Sequence, residues 1–278
     1  MKSRIDRILL ICGVLGTPIF LFSTVLVRLI YPYPYISQTI SSLGALDSPA
    51  KTLANIFIFN LFGILIALFA LGIFRSPEMR MAGKIASVFF LLAGISMFLV
   101  GIFPGSTVQV DEPTPGDSIH NKFAFYPFPL MAIGFILFAL GVITHRRLWW
   151  LIFPIVLVGP AALIIRHLTT QFPFVYYIGV LQLLAIGLPF LVLTVLAMAL
   201  YRAEGNKGTV LFIIAIAITT VSIFGLAKGI DNTSERTGIP YLCSDEKDCI
   251  DFCQNRKGGC EKACDKYPEN PVCQKIFK

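Results

Sequence analysis

The stretch Leu53 to Phe74 reads LANIFIFNLFGILIALFALGIF, with no charged residue and only Asn55 and Asn60 as polar side chains. About 18 or more consecutive apolar residues are needed to cross ~30 Å of hydrocarbon as a helix, so this segment is long enough to span a membrane. Working outward from it, six further runs satisfy the same criterion: Ile8 to Ile30, Met81 to Phe103, Lys122 to Thr144, Leu148 to Ile165, Val175 to Tyr201 and Thr209 to Leu226. Prolines Pro154, Pro160 and Pro189 fall inside two of them. Neighbouring helices can satisfy the carbonyls that proline frees, so kinks are expected at these residues and not helix ends.

Composition agrees. Of 278 residues, 56% are hydrophobic and 14% charged, and the mean hydropathy is +0.77. Soluble domains carry about a quarter charged residues. The chain therefore lacks the polar surface of a cytosolic enzyme, a disordered chain or a free nucleic-acid binder. The fold class expected is all-α, a polytopic transmembrane helix bundle of seven spans with a small disulfide-rich helical tail.

Basic residues in short loops set orientation. Lys2, Arg4, Arg7, Arg75, Arg80, Lys84, Arg146, Arg147, Arg202 and Lys207 fall on one side, and only Arg28, Lys51, Lys122, Arg166 and Lys228 on the other. The N-terminus is expected inside and the C-terminus outside, in the cell membrane. Trp149 and Trp150 fit an inner interfacial belt; Tyr31, Tyr33, Tyr35, Tyr176 and Tyr177 fit an outer one. The net charge of +7 is thus topological, and no nucleic acid is implied. The first apolar run is too long for a signal peptide and no small-x-small site ends it. Cys12 within it reads as a small buried apolar residue.

The chain divides into a six-helix core over 1–207, a seventh span over 208–230 and an extracytoplasmic tail over 231–278. The tail holds Cys243, Cys249, Cys253, Cys260, Cys264 and Cys273. Two Cys-x-x-x-Cys pairs flank Gly258-Gly259, and residues four apart share a helix face. Two short antiparallel helices joined by Cys249–Cys264 and Cys253–Cys260, with Cys243–Cys273 closing the ends, are one of fifteen pairings. A four-thiolate zinc site is the competing reading. An outward-facing segment favours disulfides and no metal. Asn232-Thr233-Ser234 is a glycosylation sequon close to the membrane.

One short repeat, Leu68-Phe69-Ala70-Leu71-Gly72 and Leu137-Phe138-Ala139-Leu140-Gly141, joins spans two and four. A duplicated helix pair would explain it, as would coincidence among Leu/Phe/Ala-rich helices. No Walker loop, dinucleotide fingerprint, zincin motif or nucleophile elbow is present, and no cofactor is expected.

Polar residues of separate outer loops gather at one end: Ser37, Gln38, Ser41, Ser42 and Asp47; Asp111, Glu112, Asp117, His120 and Asn121; Arg166, His167 and Gln171. Polar groups at membrane depth are costly and usually serve a partner or a role. Two readings stand side by side. Asn60, Arg166 and His167 line a pocket in a non-enzymatic protein that binds membrane lipids, or an extracytoplasmic protein partner through its tail. Alternatively His120, Asp117, Asp47 and Ser41 or Ser42 form the catalytic set of an intramembrane lipid hydrolase or transferase. Interfacial helix capping accounts for the same residues without either role.

Ser41-Ser42-Leu43-Gly44-Ala45, Asn60 and Gly63, Gly101-Ile102-Phe103-Pro104 and His120-Asn121 together resemble domain of unknown function 998, a family of multi-pass membrane proteins of archaea and bacteria. The resemblance runs over roughly Ile8 to Tyr201 and implies a six-helix core, with the seventh span and cysteine tail as additions. The family usually has an acidic residue inside Ser-x-Leu-Gly and after Phe-Pro, where this chain has Ser42 and Gly105. The family has no established activity, so the resemblance implies no function.

Overall fold

A computed structural model describes residues 4–31, 38–46, 48–105, 115–143, 145, 148–169, 177–203 and 208–237. The six tail cysteines, Asp47, Ser37, Asp111, Glu112 and Gln171 lie outside the described residues. Those described form helices and no strands. They are α1 (Arg4–Ile30), α2 (Ile40–Leu43), α3 (Lys51–Leu53), a π-helical segment (Ala54–Asn60), α4 (Leu61–Arg75), α5 (Met81–Ile102), α6 (Pro115–Phe125), α7 (Pro127–Val142), α8 (Ile152–Leu168, after a 3-10 turn Trp149–Leu151), α9 (Ile178–Ala203) and α10 (Thr209–Thr237).

Among the described residues seven helices are long and apolar enough to cross a membrane. They are Arg4–Ile30, Lys51–Arg75, Met81–Ile102, Pro115–Val142, Trp149–Leu168, Ile178–Ala203 and Thr209–Ala227, the seven runs read from the sequence. The α8 and α9 helices continue through Pro160 and Pro189, and α1 does the same at Pro18. Large apolar side chains such as Phe153, Ile164, Phe224 and Leu29 point outward and exposed, as a lipid solvent allows and water would not.

Two boundaries differ from the sequence reading. The fourth span starts at Pro115, seven residues before Lys122 (122 − 115), because Pro115 opens α6 and Asp117 sits in its first turn. Proline is pre-organised for a first helical position, and an acidic side chain there complements the helix dipole. The last helix continues past Asp231 to Thr237, carrying the sequon on its extension.

The spans form a ring. α1 packs on α4, α4 on α5, α5 on α7, α7 on α8, α8 on α9, and α9 returns to α1; α10 packs on the outside of α1. Neighbours in sequence are thus neighbours in space. Without water to drive association, small residues let helices approach closely. A Cβ on Gly63 would fall 2.6 Å from the Gly94 carbonyl oxygen, and one on Gly94 would fall 2.7 Å from the Ala67 nitrogen, so α4 and α5 touch backbone to backbone. The seam that closes the ring is polar. Thr17 Oγ1 of α1 donates to the Phe190 carbonyl of α9 (2.7 Å), and Thr194 Oγ1 donates to Thr17 Oγ1 (2.9 Å). Such bonds contribute about 0.6 kcal/mol each inside a membrane. Beside them Phe62 of α4 meets Phe20 and Phe190 at ring-centroid distances of 4.8 and 4.3 Å.

At one end of the bundle Arg75 Nε at the end of α4 donates to Asp6 Oδ1 in the first turn of α1 (2.6 Å), and His145 Nε2 lies 2.9 Å from Glu78 Oε2 between the loops. The repeated pentapeptides fall in α4 and α7, which flank α5, with Phe69 and Phe138 fully buried in each. Cys12 is buried in α1.

Candidate functional site

At the opposite end, the π-helical segment Ala54–Asn60 begins the second span. The wider i→i+5 winding is uncommon and often marks functional positions. The segment carries two asparagines, five residues apart, whose side chains reach two different neighbours. Asn55 Nδ2 donates to the Gly44 carbonyl (2.9 Å) and Asn60 Nδ2 to the Phe98 carbonyl of α5 (2.7 Å). A Cβ on Gly101 would meet both the Asn60 amide and the Asn55 carbonyl. Each amide thus satisfies a backbone carbonyl, and the first loop is fastened to the second span.

The same loop reaches the end of α5, where Leu46 N–H donates to the Gly105 carbonyl (2.9 Å). Gly105 also packs against the head of the fourth span. A Cβ there would lie 3.3 Å from both Asp117 Oδ1 and the His120 ring. Asp117 and His120 are both buried, each 8% exposed. Residues three apart on α6 share a face, and the start of α6 at Pro115 places them so. His120 Nδ1 lies 2.8 Å from the Phe103 carbonyl oxygen. A carbonyl accepts only, so Nδ1 carries a proton and Nε2 is the nitrogen left for other partners.

Ser41 and Ser42 belong to a separate hydroxyl cluster on Thr39, with Oγ–Oγ1 distances of 2.8 and 3.0 Å. Next to them Gln182 Oε1 of α9 accepts from Ile40 N–H (2.6 Å). His167 is exposed. Arg166 is half-buried near the end of α8. Its Nη1 donates to Thr169 Oγ1 (2.5 Å), which in turn donates to the Arg166 carbonyl (2.6 Å).

Further along the span axis lies an apolar cavity between α5, the α6–α7 span, α8 and α9, lined by residues that include Met97, Ala124, Met131, Ala162, Ala185 and Pro189. Its volume is about 350 Å³ counting the open space at its mouth, and its interior is narrow. That is enough for a water, but apolar lining offers a water no partners, so such a space stays dry or takes an apolar guest. The sequence does not mark this lining, because Met and Ala in an apolar helix look alike whether they face a cavity or a neighbour. The spacing 117, 120, 124, 127, 131 was the available signal: one face that runs from the polar pair into the cavity lining.

Apolar spans in a closed helical ring, with polar loops fastened at one end, define a polytopic integral membrane protein. Within that class the chain belongs to the family described as Protein of unknown function (DUF998), which matches residues 14–199. The match begins inside α1 and ends inside α9, covering the ring and stopping before α10. No curated protein and no solved structure matches the chain.

Proposed function

We propose that the ring of spans is a lipid-binding membrane protein, without enzymatic activity, that takes the end of an acyl chain into the cavity between α5, α7, α8 and α9. The cavity carries this reading: its lining is apolar and comes from membrane spans, and two of its residues, Ala124 and Ala162, stand one turn from His120 and Arg166. A bilayer supplies one abundant molecule with that polarity profile. The N-terminus lies on the cytoplasmic side of the cell membrane and the tail outside, a placement supported by the excess of Lys and Arg in alternate loops. The tail over 231–278, held by disulfides, offers an extracytoplasmic partner its surface.

Lipid retained by the purified full-length protein, counted by native mass spectrometry, tests this. Ala124→Leu and Ala162→Leu fill the cavity and are expected to lose the retained lipid while the fold keeps or gains thermal stability. Retention by both variants at the level of the unaltered protein would overturn the reading.

A second reading, a hydrolase or transferase acting on an outer-leaflet lipid, has support from one arrangement: Asp117 and His120 buried together against Gly105, with His120 Nδ1 on the Phe103 carbonyl and Nε2 left for a substrate. In it, Nε2 takes a proton from water or a serine hydroxyl as that oxygen attacks an ester carbonyl, and returns it to the departing alcohol. Ser41 and Asp47 complete this reading's set. The presence of lipid cleavage in the pure protein, lost in His120→Ala, would decide for it.

A further inference from the structure

Resting on the acyl-chain reading above, we infer that the site selects an anionic lipid and that Arg166 is the residue that recognises its head group. On α8, Gly159 and Ala162 line the cavity, and Arg166 follows at positions that keep it on the same helix face (159, 162, 166). It stands one turn beyond Ala162, ~6 Å along the axis at 1.5 Å per residue. The fourth span runs the other way and is built alike: His120 stands one turn beyond Ala124, which also lines the cavity. Both walls thus change from apolar to polar at the same level. An amphiphile with its tail in the cavity has its head group at that level.

The cation at that level on α8 is Arg166, and the carboxylate of Asp117 stands one turn further outward on the facing span. A cation inside a membrane span is costly unless paired, and no carboxylate among the described residues pairs with Arg166. Thr169, itself 2% exposed, takes one of its five N–H donors and is oriented by its own bond to the Arg166 carbonyl. The guanidinium is therefore held in place with donors to spare, and its planar fork matches a phosphate or carboxylate. An exposed lysine would give only diffuse attraction to any anionic surface. A half-buried, oriented arginine one turn beyond the lining of an apolar cavity selects one lipid molecule by its head.

The test uses the full-length protein equilibrated with equal amounts of phosphatidylglycerol and phosphatidylcholine of identical acyl chains, with bound lipid identified by native mass spectrometry. The unaltered protein is expected to hold the anionic lipid in about tenfold preference, equivalent to about 1.4 kcal/mol. Arg166→Gln brings the ratio near unity while total bound lipid stays the same, and Arg166→Lys keeps part of the preference. Inorganic phosphate at millimolar concentration leaves the ratio unchanged; displacement of the lipid by it would assign the site to a free anion and overturn the inference. So would a ratio near unity in the unaltered protein, or an unchanged preference in Arg166→Gln. Failure to retain either lipid overturns the acyl-chain reading itself, a result distinct from retention without preference.

Discussion

His120 Nδ1 lies 2.8 Å from the carbonyl oxygen of Phe103, and this bond ties the head of the fourth span to the end of the third. The carbonyl belongs to the helix terminus of α5, where no backbone donor follows in register. The imidazole therefore serves a structural purpose whatever else it does, and its tautomer is fixed by that purpose.

Replacing it separates the two functional readings. His120→Ala leaves the Phe103 carbonyl without this donor and is expected to cost about 1–3 kcal/mol of stability. Thermal unfolding in detergent reads that loss. Lipid retention is expected to persist, since the cavity lining is untouched; loss of a lipid-cleaving activity would instead favour the enzymatic reading.

The close approach of α4 and α5 gives a prediction of opposite sign at two glycines. Gly63→Val would drive methyl groups into the Gly94 and Phe98 backbones and is expected to destabilise by about 1–3 kcal/mol or more, as overpacking does. Gly187, on α9, has nothing within 4 Å of a built Cβ. Gly187→Ala is expected to be neutral or to stabilise by about 0.5–1 kcal/mol, by removing backbone freedom from the unfolded helix. Melting curves of both variants check the pair, and a harmless Gly63→Val would contradict the packing.

Sidedness follows from charge. Pro77 is exposed in the loop after α4, and Ser118 is exposed in α6. A membrane-impermeant maleimide applied to intact cells is expected to label Ser118→Cys and leave Pro77→Cys unlabelled until the cells are opened. Labelling of Pro77→Cys from outside would reverse the orientation.

The tail cysteines lie outside the described residues, so chemistry must test them. Cys243, Cys249, Cys253, Cys260, Cys264 and Cys273 are expected to resist alkylation until reduced, with no bound zinc. The intact mass should then rise on reduction by one hydrogen per cysteine. Free thiols before reduction, or stoichiometric zinc, would contradict this.

The number and approximate place of the spans were legible because hydrocarbon thickness imposes a run length that few other structures need, and residues such as Leu53 to Phe74 have no other use for it. The order of the ring was not legible. It depends on contacts such as Gly63 with Gly94 and Thr17 with Thr194, and a glycine or threonine in an apolar helix does not announce its neighbour. At the site, the sequence groups the polar residues at one end of the bundle but does not fix which of them share a face. Whether Asp117 and His120 meet depends on where α6 starts, and Pro115 decides that by opening the helix before both. Ser41 went to a hydroxyl cluster with Thr39, because short loops satisfy their own polar groups first. The cavity was invisible, since it is made by what the side chains leave unfilled.

The central claim is that an acyl chain enters the ring between α5, α7, α8 and α9, and photo-crosslinking tests it most directly. A phospholipid carrying a diazirine at the end of one acyl chain is incorporated with the full-length protein, irradiated, and its adducts mapped by peptide sequencing. Adducts on Met97 and Met131, which face the cavity, are the expected result, and Ala162→Leu should remove them. Adducts confined to outward-facing residues such as Phe153 and Phe224 would mean that lipid only surrounds the bundle, and the account would be wrong.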